Sequence, residues 1–338
     1  MSNGSKRVIR AKLAREHKKI NIVNSMTLEE CFEKYIFAKK SEGVTERTLY
    51  NKKINFDIVF NYLSSKYELV YPNDLSSDMM REAVNYMRFE HRKFENNPEK
   101  KEEYKTIGLA IATINSIVGH WKAFYNYLYD EEYIPSNPLK NIKLMKNTTQ
   151  VEGLAMDELK LLLDGFNQDT YAGYRGYLLT LLLADTGMRS GEAINLKWNQ
   201  IDFKHDVVTL NASETKSGKM RFVPFSKKTN RLLREWKQEV AEVSEYYVFP
   251  SIYGDKPYRQ REYRNLLNSL SNEIGIKHVH PHMIRHTFAT QYLVHGGDAL
   301  SLQKILGHSS LEMVKIYVDM SQKDITFKQN KFSPINFM

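Results

Sequence analysis

Residues 282–317 gather several side chains that can handle a phosphate. His282-Met-Ile-Arg285-His286 is followed by Leu306-Gly307-His308-Ser309-Ser310, and Tyr317 stands nine residues beyond His308. An arginine fork gives two parallel hydrogen bonds to phosphate oxygens, which a lysine cannot match. Imidazoles carry protons near neutrality. A phenol beside such groups could attack a DNA phosphodiester, provided it is helped to lose a proton, since its ordinary pKa is about 10.

A second arginine stands upstream in Thr186-Gly-Met-Arg189-Ser-Gly-Glu192. Arg189 follows a glycine turn and begins a helix, whose free N–H groups and dipole favour anions. Glu192, three residues later on the same face, could hold Arg189 in place; the ordinary alternative is a helix-surface pair of little energetic value. His282 and His286 are spaced to share a metal, but Met283 stands where a zinc protease would carry glutamate. Cys31 is the only cysteine, so there is no thiolate cluster, and Arg285 would repel a cation. No metal site and no cofactor are expected.

Five boxes taken in order resemble the tyrosine recombinase (phage integrase) family: Thr186-Gly-Met-Arg189-Ser-Gly-Glu192, Thr215-Lys216-Ser-Gly-Lys219, His282-Met-Ile-Arg285-His286-Thr287, Leu306-Gly-His308-Ser-Ser, and Tyr317. The helical segment before them resembles that family's core-binding domain. The resemblance implies that Tyr317 is the nucleophile, giving a 3′-phosphotyrosyl link and a free 5′-hydroxyl. It implies that His282 acts as general base and then acid. Arg189 and Arg285 would clamp the non-bridging oxygens, where charge builds up in the pentacovalent transition state. Lys216 would protonate the departing 5′-oxygen, with Lys219 on the same turn as its competitor. His308 would hydrogen-bond a non-bridging oxygen, while Glu192 and His286 support the site. The interval from His308 selects Tyr317 among many tyrosines; Tyr292 lies on the wrong side of that histidine.

The elements that must position these residues follow from patterning. Residues 1–25 form a basic tail with almost no large apolar residues, either solvated or a DNA-contacting arm. Thr27-Leu-Glu-Glu30 has capping-box spacing and opens a helix through about residue 40, with Leu28, Cys31, Phe32, Tyr35 and Ile36 at helical spacing. Cys31 reads as a small buried residue. Further helices are expected over 45–64, with Leu49, Ile54, Ile58, Tyr62 and Leu63 on the apolar side, over 76–94, and over 107–133. Residues 95–105 read as a loop. These helices make a core-binding domain over 26–134, followed by an exposed, basic linker over 135–152.

The catalytic domain, 153–320, mixes elements. Helices are expected over 156–166, 171–185 (buried nearly all round), from 190, and over 228–243, 259–274, 281–295, 299–306 and 310–320. Strands are expected over 201–203, 207–210 and 220–225, with Lys216-Ser-Gly218-Lys219 as a hairpin turn. The fold class is mainly α with a small antiparallel β-sheet (α+β). A tail over 321–338 carries Ile325, Phe327, Phe332, Ile335 and Phe337, which could dock on a neighbouring protomer or pack back on their own domain.

The 49 Lys and Arg against 40 Asp and Glu give a net charge of +9, which suits a polyanionic partner because binding releases counterions from nucleic acid. The longest apolar stretch, 178–184, is too short to span a bilayer, so no membrane partner is expected. With one cysteine and no secretory signal pattern, a reducing cytoplasm fits. Double-stranded DNA is the expected partner, gripped by two domains in a C-shaped clamp. The resemblance implies a homo-tetramer on two DNA sites during synapsis, with an accessory directionality factor as a further partner. The expected task is integration or excision of a mobile element or phage. The alternative is resolution of chromosome or plasmid dimers; more distant are a type IB topoisomerase-like relaxer and a non-catalytic DNA-binding protein.

Overall fold

The capping box at Thr27 forms as its spacing predicts. The Thr27 hydroxyl accepts from the Glu30 amide at 3.2 Å, and the Glu30 carboxylate accepts from the Thr27 amide at 2.7 Å. The structure, a computed structural model, describes residues 26–95, 97–146, 152–215 and 218–307. The chain divides into two compact units, Met1–Thr149 and Gln150–Met338. The expected tails over 1–25 and 321–338 and the helix expected over 310–320 lie outside the described residues.

The first unit holds helices α1 (Leu28–Ser41), α2 (Glu46–Ser64), α3 (Ser77–Phe89) and α4 (Ile111–Asp130). Its centre is aromatic: Phe32 stacks on Phe56 at 4.0 Å, Phe56 on Trp121 at 5.0 Å, and Phe124 meets Phe32 edge-on at 5.3 Å. Cys31 is buried, and burial pushes its thiol up to about 11.

Several sequence expectations need correction in this unit. The buried face of α2 is Leu49, Phe56, Val59 and Leu63, whereas Ile54 is 39 % exposed. At 100° per residue, Ile54 falls nearly opposite Phe56. Helix α3 stops at Phe89 rather than 94, and α4 starts at Ile111 rather than 107. Between them the chain pairs with itself: Lys93 donates to the Thr106 carbonyl and Gly108 to that of His91, which takes these backbone groups out of helical pairing. The expected loop also contains a short 3₁₀ turn at Glu102–Tyr104. Finally, the segment read as an exposed linker contributes Leu139 and Ile142 to this unit's core, and Asn115 clasps Met145 through both backbone groups.

The second unit runs α5 (Met156–Asp164), α6 (Tyr171–Thr186), α7 (Ser190–Ile194), β1 (Ile201–Asp202), β2 (Val207–Leu210), β3 (Arg221–Pro224), α8 (Lys227–Val240), β4 (Pro250–Ser251), β5 (Gly254–Pro257), α9 (Gln260–Glu273), α10 (Pro281–Val294) and α11 (Ala299–Leu306). Helix α6 is buried nearly all round, carrying an unbroken buried run from Leu178 to Leu183. It packs against α10, α8 and α7 and so forms the frame of the unit. Strands β1, β2 and β3 make an antiparallel sheet, with Val208 opposite Val223. The two-stranded β4–β5 sheet was not expected: its Pro-Ser-Ile-Tyr-Gly-Asp-Lys-Pro sequence carries two prolines and no alternating apolar face. The protein is mainly α with small antiparallel sheets. Among the described residues, no helix is long and apolar enough to cross a membrane.

Candidate active site

Two helix ends carry the site. Helix α6 closes on Gly187 in the left-handed region, φ 62°, with its amide on the Leu183 carbonyl. A Cβ here would lie 2.2 Å from the Phe288 ring of α10, so a side chain meets both backbone strain and a clash. This turn delivers Arg189, which stands just before α7. Arg189 is tied down by Glu192: its amide donates to Oε2 at 2.9 Å and its Nη1 to Oε1 at 3.1 Å.

The carboxylate of Glu192 is itself buried, 8 % exposed. It accepts a second fork, from Arg221 at the start of β3, with Nη1–Oε1 at 3.1 Å and Nη2–Oε2 at 2.6 Å. Burial alone would raise the Glu192 carboxyl. The Arg221 hydrogen bonds and charge, with help from Arg189, outweigh that and hold it below the usual carboxylate range. The remaining N–H of Arg221, Nε, donates to the Ile305 carbonyl at 3.0 Å. Arg221 was not among the residues singled out from the sequence. The available signal was alternation: β3 buries Arg221 and Val223 and exposes Phe222 and Pro224, and an arginine at an inward strand position needs a partner.

Arg285, on α10 and 5 % exposed, reaches the same two helix ends. Its Nη1 donates to the Gly187 carbonyl at 2.7 Å and its Nη2 to the Leu306 carbonyl at 2.9 Å. Both acceptors are at helix C-termini, where the peptide dipoles concentrate negative potential. Helix α11 then ends on Gly307, φ 66°, and a Cβ there would meet the Arg221 side chain at 2.9 Å.

Helix α10 opens with Pro281 in its first turn, preceded by His280. His282 is exposed and His286, one turn on, is half-buried. The rings of His278, His280 and His282 follow one another at 6.3 Å. Burial, then His282, His278 and Arg264, push the His280 imidazole down; burial, then His282, Arg285 and His280, do the same to His286. Both shifts favour the neutral imidazole.

The structure thus brings Arg189, Glu192 and Arg285 around one pair of helix ends and sets His282 and His286 on the helix that carries Arg285. Lys216, His308 and Tyr317 lie outside the described residues. Beside Lys216, the Thr215 hydroxyl donates to the Lys219 carbonyl and accepts from the Lys219 amide, and Lys219 itself is exposed. Among the described residues, no group of three or more His, Cys, Asp or Glu side chains could hold a metal ion.

Residues 152–324 match the profile of the phage integrase family. The chain belongs to that family. Its relatives include the tyrosine recombinase XerC of Bacillus pumilus (strain SAFR-032), 32% identical over 228 residues, which are 64% of this chain and 73% of the relative. The tyrosine recombinase XerC of Bacillus subtilis (strain 168) is 31% identical over 225 residues, again 64% of this chain and 73% of the relative. Among solved structures, the Tn1549 transposon integrase in complex with transposon right end DNA superposes with a TM-score of 0.68 at 19% identity, over 91% of this chain and 100% of that one. A lambda integrase dimer bound to a COC′ core site gives 0.66 at 17% identity, over 92% of this chain and 85% of that one. At such identities these two establish the shared fold. As a member of the phage integrase family, the protein is a tyrosine recombinase, a DNA strand-transfer enzyme.

Proposed function

We propose that this tyrosine recombinase cuts and rejoins double-stranded DNA at specific sites through a 3′-phosphotyrosyl intermediate on Tyr317. The observation that carries the reading is the Arg285 fork. It ties the Gly187 turn, which delivers Arg189, to the Leu306 carbonyl, two residues before His308. In the proposed step, the Tyr317 phenol oxygen attacks the scissile phosphorus while His282 takes the hydroxyl proton. Lys216 protonates the 5′-oxygen as the P–O5′ bond breaks, and Arg189, Arg285 and His308 stabilise the charge on the non-bridging oxygens. The tyrosyl ester conserves the energy of the diester, so the reverse attack by a 5′-hydroxyl reseals DNA with no nucleotide or metal ion required. His286 and Glu192 support the site from behind.

The DNA partner is supported by the net charge of +9 and by the DNA-bound recombinases that share the fold. Synapsis joins four protomers on two sites, in the cytoplasm, with an accessory factor setting direction. The biological task we favour is integration and excision of a mobile element or phage. The XerC relatives favour a second reading, resolution of chromosome or plasmid dimers.

The test is a suicide substrate nicked beside the cut site. A covalent protein–DNA adduct should form with the wild type and vanish in Tyr317→Phe, which still binds DNA; an adduct surviving that change sinks the assignment. Recombination between two plasmid-borne copies of the DNA flanking the gene separates a mobile-element recombinase from a dimer resolver, which would act on a chromosomal site instead. Relaxation without exchange would indicate a topoisomerase.

A further inference from the structure

We propose that Arg221 is a positioning residue for strand cleavage: it fixes the carboxylate plane of Glu192, and through it the aim of Arg189, while joining that pair to the end of α11. The inference rests on the reading of Arg189 as a phosphate ligand given above.

A carboxylate offers about four acceptor positions. On Glu192 all are taken, by Nη1 and Nη2 of Arg221 and by the amide and Nη1 of Arg189. With only Arg189 as partner, the carboxylate could rotate about its last bond and swing Nη1 of Arg189 with it. The bidentate fork of Arg221 removes that freedom, because two parallel N–H···O bonds define a plane.

Arg189 is 22 % exposed, and among the described residues nothing accepts from its Nε or Nη2, so those groups are the ones left for a ligand. Arg221 is 7 % exposed, and all three of its nitrogens are engaged with protein acceptors. The division of labour is plain: one arginine is spent entirely on orientation and the other is held for the substrate. Because Nε of Arg221 grips Ile305, three residues before His308, the same side chain sets Arg189 relative to the approach to His308.

The test uses the full chain and the suicide substrate at saturating protein, so that the single-turnover rate reports chemistry rather than affinity. Arg221→Lys keeps the charge and loses the fork. We expect DNA affinity within about threefold of wild type and adduct formation slower by about 100-fold, the scale of an ångström of misplacement at a reacting centre. In an Arg189→Lys background, where there is no fork to aim, adding Arg221→Lys should cost less than about threefold, since residues acting through one another are non-additive.

A wild-type rate in Arg221→Lys overturns the proposal. So does an equal loss in both backgrounds, which would make Arg221 a general scaffold. If Arg221→Lys does not fold, the neutral pair Glu192→Gln/Arg221→Gln takes its place; the same slow chemistry with intact DNA binding is expected, and wild-type cleavage by that pair again overturns it. Tyr317→Phe run alongside keeps the two ideas apart. An adduct in that variant defeats the recombinase reading, whereas its absence together with a fast Arg221→Lys defeats only the role of Arg221.

Discussion

Nη1 of Arg285 donates to the carbonyl oxygen of Gly187 at 2.7 Å, across 98 residues of sequence. That bond joins the helix carrying the histidines to the turn carrying Arg189. It exists because Gly187 adopts a left-handed conformation that turns the chain at the end of α6 and leaves its carbonyl open to the guanidinium. Stability and site geometry therefore meet in one hydrogen bond.

Replacing Gly187 should show that coupling. Gly187→Ala imposes a positive φ on a side chain and drives a methyl into the Phe288 ring. We expect a loss of about 2–4 kcal/mol of unfolding free energy in urea titrations, from strain and overpacking combined. Adduct formation should fall with it, even under conditions where the variant is fully folded.

Arg285→Lys should separate charge from geometry. A single ammonium cannot reach both Gly187 and Leu306 as the fork does, so one buried carbonyl loses its donor. Melting should show a cost of roughly 1–3 kcal/mol. Single-turnover adduct formation should drop by about 100- to 1,000-fold, as for removal of one oxyanion donor.

The titration of His280 and His286 gives a signed pH dependence. Both folded-state pKa values lie below the ordinary imidazole value of 6.5, so the unfolded chain binds protons that the folded chain refuses. Stability from this source is full above about pH 6.5 and is lost as pH falls below it towards the folded-state values. Thermal melts from pH 8 to 5 should follow that slope, and His280→Asn/His286→Asn should flatten it. Part of the slope should survive, because burial also lowers His91 and His120 in the first unit.

Thr287 joins α10 to the chain that enters the second unit. Its hydroxyl accepts from the Leu154 amide at 2.7 Å, and a Cβ on Gly153 would meet the Thr287 amide at 2.9 Å. Thr287→Val keeps the shape and strands a buried N–H, so we expect destabilisation of about 1–3 kcal/mol by denaturant titration. Thr287→Ser should recover most of it.

Much of this architecture was legible in the residues, for reasons that can be named. The Thr27 capping box and the Leu28, Cys31, Phe32, Tyr35 spacing placed α1 because cap chemistry and helical period agree there. Residues 299–306 end at Gly307 for the same reason, a stop signal at the end of an apolar pattern. The errors arose where tertiary contact overrides local pattern. Ile54 looked apolar enough for the core, but Phe56 and Val59 define the buried side. Leu139 and Ile142 sat in a lysine-rich segment, and only the packed structure shows them inside. The pairing of Arg189 with Glu192 could be anticipated from their spacing. For Arg221 the alternation of β3 gives the inward position but not the partner, which lies 29 residues away on another element.

Two anchors of Arg285, the Gly187 and Leu306 oxygens, are peptide carbonyls rather than carboxylates. A peptide oxygen takes up no proton across the range in which an enzyme works, so these two restraints do not loosen with acidity. Nor does it carry a formal charge, so neither of these two bonds is an ion pair. A side chain moored in this way has its position set by the backbone, and that position does not shift with the protonation of a neighbouring side chain.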